Sequence, residues 1–337
     1  MKDVRKKAKE LMSGYCRVCA VCDGRACAGE VPGMGGLGTG SAFKANVEDL
    51  SRLRLNMRLL HDVTEPELAV SLPALALDLA LPVLAAPIGG VSFNMGGKMG
   101  EEDYVRAVLG GCAAKGTLGC TGDGVPDFIH QAGFTAIAGL SGRGIPFIKP
   151  WEDAELFEKL DKALATGAGV VGMDVDAAGL VTLRKMGRPV SPKPPKKLKE
   201  IIGRTPAKFI LKGIMTPDEA RLAADVGAAG IVVSNHGGRV LDHTPGTAAV
   251  LAGVAAAVKG RIAVLVDGGV RTGVDVLKML ALGADAVMIG RPFSIAAIGG
   301  AAEGVEKYLD QLRGELSAAM ILTGTARAAA VPAGVLA

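Results

Sequence analysis

The stretch Ser234-Asn235-His236-Gly237-Gly238-Arg239 places a histidine beside two glycines and three residues before an arginine. An imidazole with such small neighbours can approach a bound molecule and take a proton from it, while the guanidinium can hold a carboxylate through paired hydrogen bonds. Asp267-Gly268-Gly269-Val270-Arg271 and Gly290-Arg291 form two further Gly-Arg turns. There, backbone N–H groups can come close to a phosphate while Arg271 and Arg291 supply positive charge. Lys212-Gly213 adds a fourth polar group of the same kind.

A different chemistry is written near the N-terminus. Cys16, Cys19, Cys22 and Cys27 follow the spacing C-x₂-C-x₂-C-x₄-C, with the Gly-containing turn Asp23-Gly24-Arg25-Ala26 before the last thiol. Three thiols so spaced can converge on one centre and the fourth can close it. The ferredoxin run is close but has three residues before its final Cys and a Pro after it. A structural zinc site needs the same four thiolates, usually as two separated pairs. An iron-sulfur cluster, zinc, and unliganded or redox-active thiols all stay open. Cys112 and Cys120 lie in apolar or Gly-rich surroundings and read as buried thiols.

These groups need a scaffold that brings them together. From residue 81 onward, short apolar runs alternate with amphipathic segments: 81–86, 117–120, 135–138 or 146–149, 170–175, 208–212, 230–234, 262–266 and 286–289. Such continuous apolar runs suit parallel strands buried on both faces. Among the intervening helices, Thr216 reads as an N-cap with Glu219 completing a capping box, and a similar unit runs from Thr272 to Leu282 before Gly283. Seven or eight strand-helix units predict an α/β fold, a TIM (β/α)₈ barrel, in which functional groups sit at the C-terminal ends of strands. Lys212, His236, Asp267 and Gly290 each stand at such an end, and the last two fall at the usual phosphate position of this fold. Residues 187–199, Pro-rich and basic, read either as a mobile loop over the catalytic face or as a surface excursion. Gly33 to Gly38 matches G-x-G-x-x-G but follows no apolar strand, which argues against a dinucleotide fingerprint.

The motifs Lys212-Gly213, SNHGGR at 234–239, DGGVRTGVDVLKMLALGA at 267–284, GRP at 290–292 and LRGELSAAMILTG near the end resemble the FMN-dependent α-hydroxy-acid oxidases and dehydrogenases, the glycolate and lactate oxidase group. The resemblance spans roughly residues 80–325 and implies a barrel with FMN across its mouth. It implies oxidation of an L-2-hydroxy acid, lactate by default, to the 2-oxo acid by hydride transfer to flavin N5. His236 would take the hydroxyl proton, Arg239 would bind the carboxylate, and Asp174 would pair with His236. Lys212 would face the flavin N1/O2 edge. Ser234, Asp267, Gly269, Arg271, Gly290 and Arg291 would hold ring, ribityl and phosphate, and Ala85, Ala86, Pro87 and Ile88 would pack against the flavin. Lys149 stands where a flavin-binding Gln is usual, Trp151 where a substrate Tyr is usual, and Arg184 is the counterpart on offer for a second carboxylate-binding Arg. Thr121 replaces a common aromatic, and Gly172 a flavin-contacting Thr. The first 45 residues lack the family's N-terminal pattern with its substrate-binding tyrosine, Tyr15 being in unrelated context. A Cys-rich extension over 1–45 and an FMN-binding barrel over 46–337 are therefore expected. Other readings are a related FMN barrel enzyme such as type 2 isopentenyl-diphosphate isomerase, or a non-catalytic flavin or metal sensor. The carboxylate-holding His236/Arg239 pair argues against the isomerase.

The 337 residues carry 38 Lys+Arg against 34 Asp+Glu, with no long basic block and few aromatics, which excludes a nucleic-acid-binding pattern. No apolar signal-peptide core and no uncharged run of about 18 apolar residues is present. A cytoplasmic, non-membrane enzyme acting on a small molecule is expected. Six cysteines without an export signal argue against a disulfide framework. Related barrels often form tetramers, and the electron acceptor, oxygen or another, stays open.

Overall fold

In the computed structural model, which describes residues 1–180, 183 and 186–337, eight parallel strands close into a barrel. After a short antiparallel hairpin, β1 (Val70–Leu72) and β2 (Leu77–Leu79), the barrel strands are β3 (Val83–Ile88), β4 (Leu118–Thr121), β5 (Ile145–Ile148), β6 (Val170–Asp174), β7 (Lys208–Ile214), β8 (Gly230–Val233), β9 (Ala263–Val266) and β10 (Ala286–Ile289). β10 pairs with β3 through Val287 and Val83, which completes the ring. The strands are apolar along nearly their whole length because one face meets the barrel interior and the other the surrounding helices.

Of the two candidates for the third barrel strand, 146–149 overlaps the strand, β5, which ends at Ile148; residues 135–138 lie inside the helix Phe128–Gly139. Periodicity alone could not separate them, because this helix is apolar on most sides and short apolar runs are ambiguous. The reciprocal capping box forms at Thr272 and Asp275. At Thr216 only the forward half is present, with the hydroxyl accepting from Glu219 N.

The hairpin lies at the N-terminal end of the barrel, where fully buried Leu75 reaches Gly230 at the start of β8. The C-terminal end is thereby left as the open mouth. The N-terminal helix Lys2–Leu11 lies against the final helix Arg291–Thr323, which breaks at Ala301 (φ 49°). A Cβ on Gly299 would come within 2.0 Å of Val4 O, so only glycine permits this approach. The expected domain boundary at 45/46 falls inside one helix, Ser41–Arg52. Among the described residues no helix is long and apolar enough to cross a membrane.

Candidate active site

A cavity of about 430 Å³ opens at the C-terminal ends of the barrel strands. Its floor carries Lys212 and Asp267, and Asp174 and His236 line the same space. Lys212 Nζ lies 3.2 Å from Asp174 Oδ1 and 3.7 Å from Asp267 Oδ2. Burial works against its charge, but Asp174, Asp176 and Asp267 outweigh burial and raise its pKa, so the ammonium stays protonated. Burial pushes the Asp267 carboxyl up against the pull of Lys212 and of Ser234, whose hydroxyl donates to Oδ2 over 2.9 Å.

His236 sits in the left-handed region at φ 56° and its N–H donates to Ser234 Oγ. A non-glycine residue held there points to a constraint imposed by its surroundings. The ring Nδ1 lies 3.0 Å from Asp176 Oδ1. This corrects the expected pairing with Asp174, whose carboxylate is engaged by Lys212. Asp174 closes β6 and lines the cavity, while the turn Val175–Gly179 carries Asp176 to the imidazole, so that a carboxylate oxygen of each lies within 4.8 Å of the ring. Gly213 (φ 112°) makes this possible, because a Cβ there would lie 2.5 Å from Asp176 Cβ. Burial raises the Asp176 carboxyl, but His236 and Lys212 more than offset it and leave its pKa lowered.

Arg239, Arg271 and Arg291 come together on the opposite wall. Arg239 donates to Gly33 O, Gly35 O and Asn94 Oδ1. Arg291 donates to Met34 O, Gly35 O and Gly237 O, with its guanidinium 3.8 Å from the Phe43 ring centroid. Burial, then the charges of Arg239 and Arg271, drive the Arg291 pKa down. No carboxylate lies within ion-pair distance of these three guanidiniums among the described residues, and Arg271 Nε is buried without a partner. The wall is thus built to meet an anion that the protein does not itself supply. Asp267 Oδ1 is likewise buried and unpartnered. Gly269 cannot be replaced without striking Asn46 O, whereas a Cβ on Gly290 would meet Ile88 at 3.5 Å and Ala86 at 3.9 Å, both ordinary contacts, and Gly290 lines the cavity. Ala86, Pro87, Ile88 and Lys149 line the cavity as expected. Ala85 and Ser234 do not, being buried one layer behind.

Trp151 is the second correction. It is fully buried, donates Nε1 to Asp123, lies under Lys159 at 4.0 Å and lines no part of the cavity, so it cannot touch substrate there. Asp123 also accepts from Lys149 N and Lys159 Nζ, which makes it the hub fixing the loops after β4 and β5. Arg184 lies outside the described residues. Residues 187–199 contribute nothing to the cavity; Val190 bridges to Trp151 and Arg188 pairs with Glu155, which fits the surface reading. At Gly172 the Phe147 ring fills the space a Cβ would take, at 2.3 Å. Asp123, Asn94 and Asp176 escaped the sequence reading, although Gly122-Asp123-Gly124 follows a barrel strand and the strand-end rule points to it.

The Gly-rich run 33–38 is no phosphate loop, since its carbonyls accept from arginines. It folds the Cys-rich segment over the mouth, where Pro32 and Met34 line the cavity. Asp242 latches this cover by accepting from Thr39 N and Oγ1, Ala42 N and His243 N. Burial alone would raise this carboxyl, but those bonds hold it well below the usual range. A lowered carboxyl stabilises the fold fully above its ordinary value of about 3.9, and that contribution is lost as pH falls through the folded value. Asp242→Ala should therefore speed hydrogen exchange at the amides of residues 37–42 at pH 7. The difference from wild type should shrink under strong acid, and equal exchange at pH 7 would dismiss the latch.

The sequence pattern of the family described as FMN-dependent dehydrogenase matches residues 184–337. The chain is 32% identical to an L-lactate dehydrogenase of Xanthomonas campestris pv. campestris (strain B100), across 86% of this chain and 88% of that one. It is 34% identical to glycolate oxidase 1 of Oryza sativa subsp. indica, across 84% of each chain. A crystal structure of mandelate oxidase superposes with a TM-score of 0.79 at 29% identity, covering 100% of this chain and 97% of the other.

Proposed function

Because the chain belongs to the FMN-dependent dehydrogenase family, and is an FMN-dependent oxidoreductase acting on CH–OH groups, we propose that its substrate is a small L-2-hydroxy acid of the lactate kind, oxidised to the 2-oxo acid. When bound, FMN supplies the hydride acceptor at N5. The residues present fit such a group. Arg271 and Arg291, with the turns at Gly269 and Gly290, would hold the phosphate, while Ala86, Pro87 and Ile88 would pack against the ring and Lys149 would border it. Lys212 keeps a positive charge on the cavity floor, suited to the electron-rich edge of a reduced ring.

His236 takes the hydroxyl proton, and Asp176 orients the imidazole and favours its charged form once the proton has arrived. Arg239 turns its guanidinium from the carbonyls of Gly33 and Gly35 to the substrate carboxylate, a stronger acceptor. The observation that carries the reading is His236, held by Asp176 at 3.0 Å, in one cavity with Lys212 and an arginine wall without an anion. Likeness to hydroxy-acid enzymes over more than four-fifths of the chain favours this over the isomerase.

Anaerobic addition of L-lactate, glycolate and L-mandelate to the yellow protein tests the proposal. Bleaching of the flavin by at least one supports it; a flavin-loaded protein that no 2-hydroxy acid bleaches is a sensor instead. Arg239→Met should weaken binding of oxalate, followed through the flavin spectrum, by about 10- to 100-fold, the worth of a hydrogen bond to a charged group. An unchanged dissociation constant would remove Arg239 from the carboxylate site. The same proposal includes a tetramer, which light scattering on the purified protein tests, and a reducing cytoplasmic location, which the free state of all six cysteines supports.

A further inference from the structure

Cys16, Cys19, Cys22 and Cys27 border one small enclosed cavity, together with Arg291 and Ile295. None is in a disulfide. The loop turns through left-handed positions at Val18 (φ 44°) and Gly24 (φ 82°), which bend the thiols inward. Gly24 is held against the Phe43 ring, where a Cβ would come within 2.7 Å. Four thiolates on one short loop can hold an iron-sulfur cluster or a single zinc ion, and the C-x₂-C-x₂-C run before Cys27 is close to the ferredoxin spacing. Val18 N lies 3.4 Å from Cys16 Sγ and Arg271 Nη2 lies 3.5 Å from Cys22 Sγ, the kind of donor that stabilises cluster thiolates.

We propose that Cys16, Cys19, Cys22 and Cys27 bind a [4Fe–4S] cluster that conducts electrons from the barrel cavity to an external one-electron carrier protein. The guanidinium of Arg291 borders both cavities, so the two are one side chain apart. It faces an anionic four-thiolate cluster on one side and the phosphate position on the other, which gives a second anion to the wall of unpaired arginines. On the same loop Val21, 70% exposed, and Tyr15, 39% exposed, offer apolar surface to a carrier.

The conducting role rests on the proposed function; cluster binding does not. Oxidation of the acid breaks its C–H and O–H bonds and forms C=O, releasing two electrons and two protons. Both electrons leave the carbon with the hydride, and the hydroxyl proton goes to His236. The electrons then pass singly through the cluster, so two carriers each gain one electron per turnover, and both protons end in water.

Anaerobic purification followed by iron, sulfide, zinc and flavin analysis is the test, backed by reconstitution of aerobically prepared protein with ferrous iron and sulfide. About four iron and four sulfide per chain are expected. Cys22→Ser and Cys27→Ser should lose the iron while retaining FMN. Stoichiometric zinc, or no metal in either preparation, overturns the cluster. Dithionite should generate a reduced-cluster paramagnetic resonance signal at low temperature, and the bleaching hydroxy acid should generate the same signal. A cluster that dithionite reduces but substrate does not, in protein whose flavin bleaches, overturns conduction. A cluster-loaded protein whose flavin no hydroxy acid bleaches upholds cluster binding and overturns the proposed function.

Discussion

His236→Ala should leave a yellow protein whose flavin is reduced by the hydroxy acid ~10²- to 10⁴-fold more slowly, the usual worth of a positioned general base. The variant keeps its flavin because the phosphate wall and cavity floor are other residues. Single-turnover anaerobic reduction isolates the step, and a wild-type rate would mean that another group takes the proton. Asp176 acts through His236 as a positioning residue, so Asp176→Asn should slow reduction by a smaller factor and shift its pH profile. Asp174→Asn acts at a different place, on the Lys212 ammonium 3.2 Å away. Its expected effect is on flavin spectrum and affinity. If Asp174→Asn moved the pH profile while Asp176→Asn did not, the pairing role would return to Asp174.

The contrast between these two carboxylates shows where sequence is legible. Lys212, His236, Asp267 and Arg291 could be found because a parallel barrel writes each strand as a buried apolar run and puts the chemistry just after it. That rule locates a strand end to within a residue or two and no better. Asp174 and Asp176 both satisfy it, and the choice between them depends on a 3-10 turn and on the space left by Gly213, neither visible in the pattern. Trp151 illustrates the opposite failure. The resemblance set Trp151 in the place of a substrate tyrosine, but Asp123, 28 positions away, captures its indole N–H and buries it. The cover over the mouth was illegible for a third reason. Its bonds to Arg239, Arg291 and Asp242 join residues 203 to 256 positions apart, and backbone carbonyls of glycines carry no sequence signature.

Arg291→Glu should produce the largest loss of cofactor. The wild-type side chain is buried between Arg239 and Arg271, repelled by both, and kept in place by carbonyls of Met34, Gly35 and Gly237 and by the Phe43 ring. Three cations crowded without a carboxylate destabilise the empty protein, so a dianionic phosphate gains from all of them at once. Breaking one partner of such a buried charge pair costs about 2–5 kcal/mol, and reversing its sign adds repulsion. FMN affinity should therefore fall at least ~100-fold, leaving a colourless protein after desalting. Arg291→Gln separates charge from contact, since its amide can still donate to Gly35 O or Gly237 O without carrying charge. It should weaken FMN less than the glutamate does, and added FMN should raise the melting temperature of wild type most, of Gln less and of Glu least. Full FMN occupancy in Arg291→Glu would move the phosphate away from the β10 turn. Equal losses in both variants would assign Arg291 to holding the Cys-rich cover in place, with the phosphate left to Arg271.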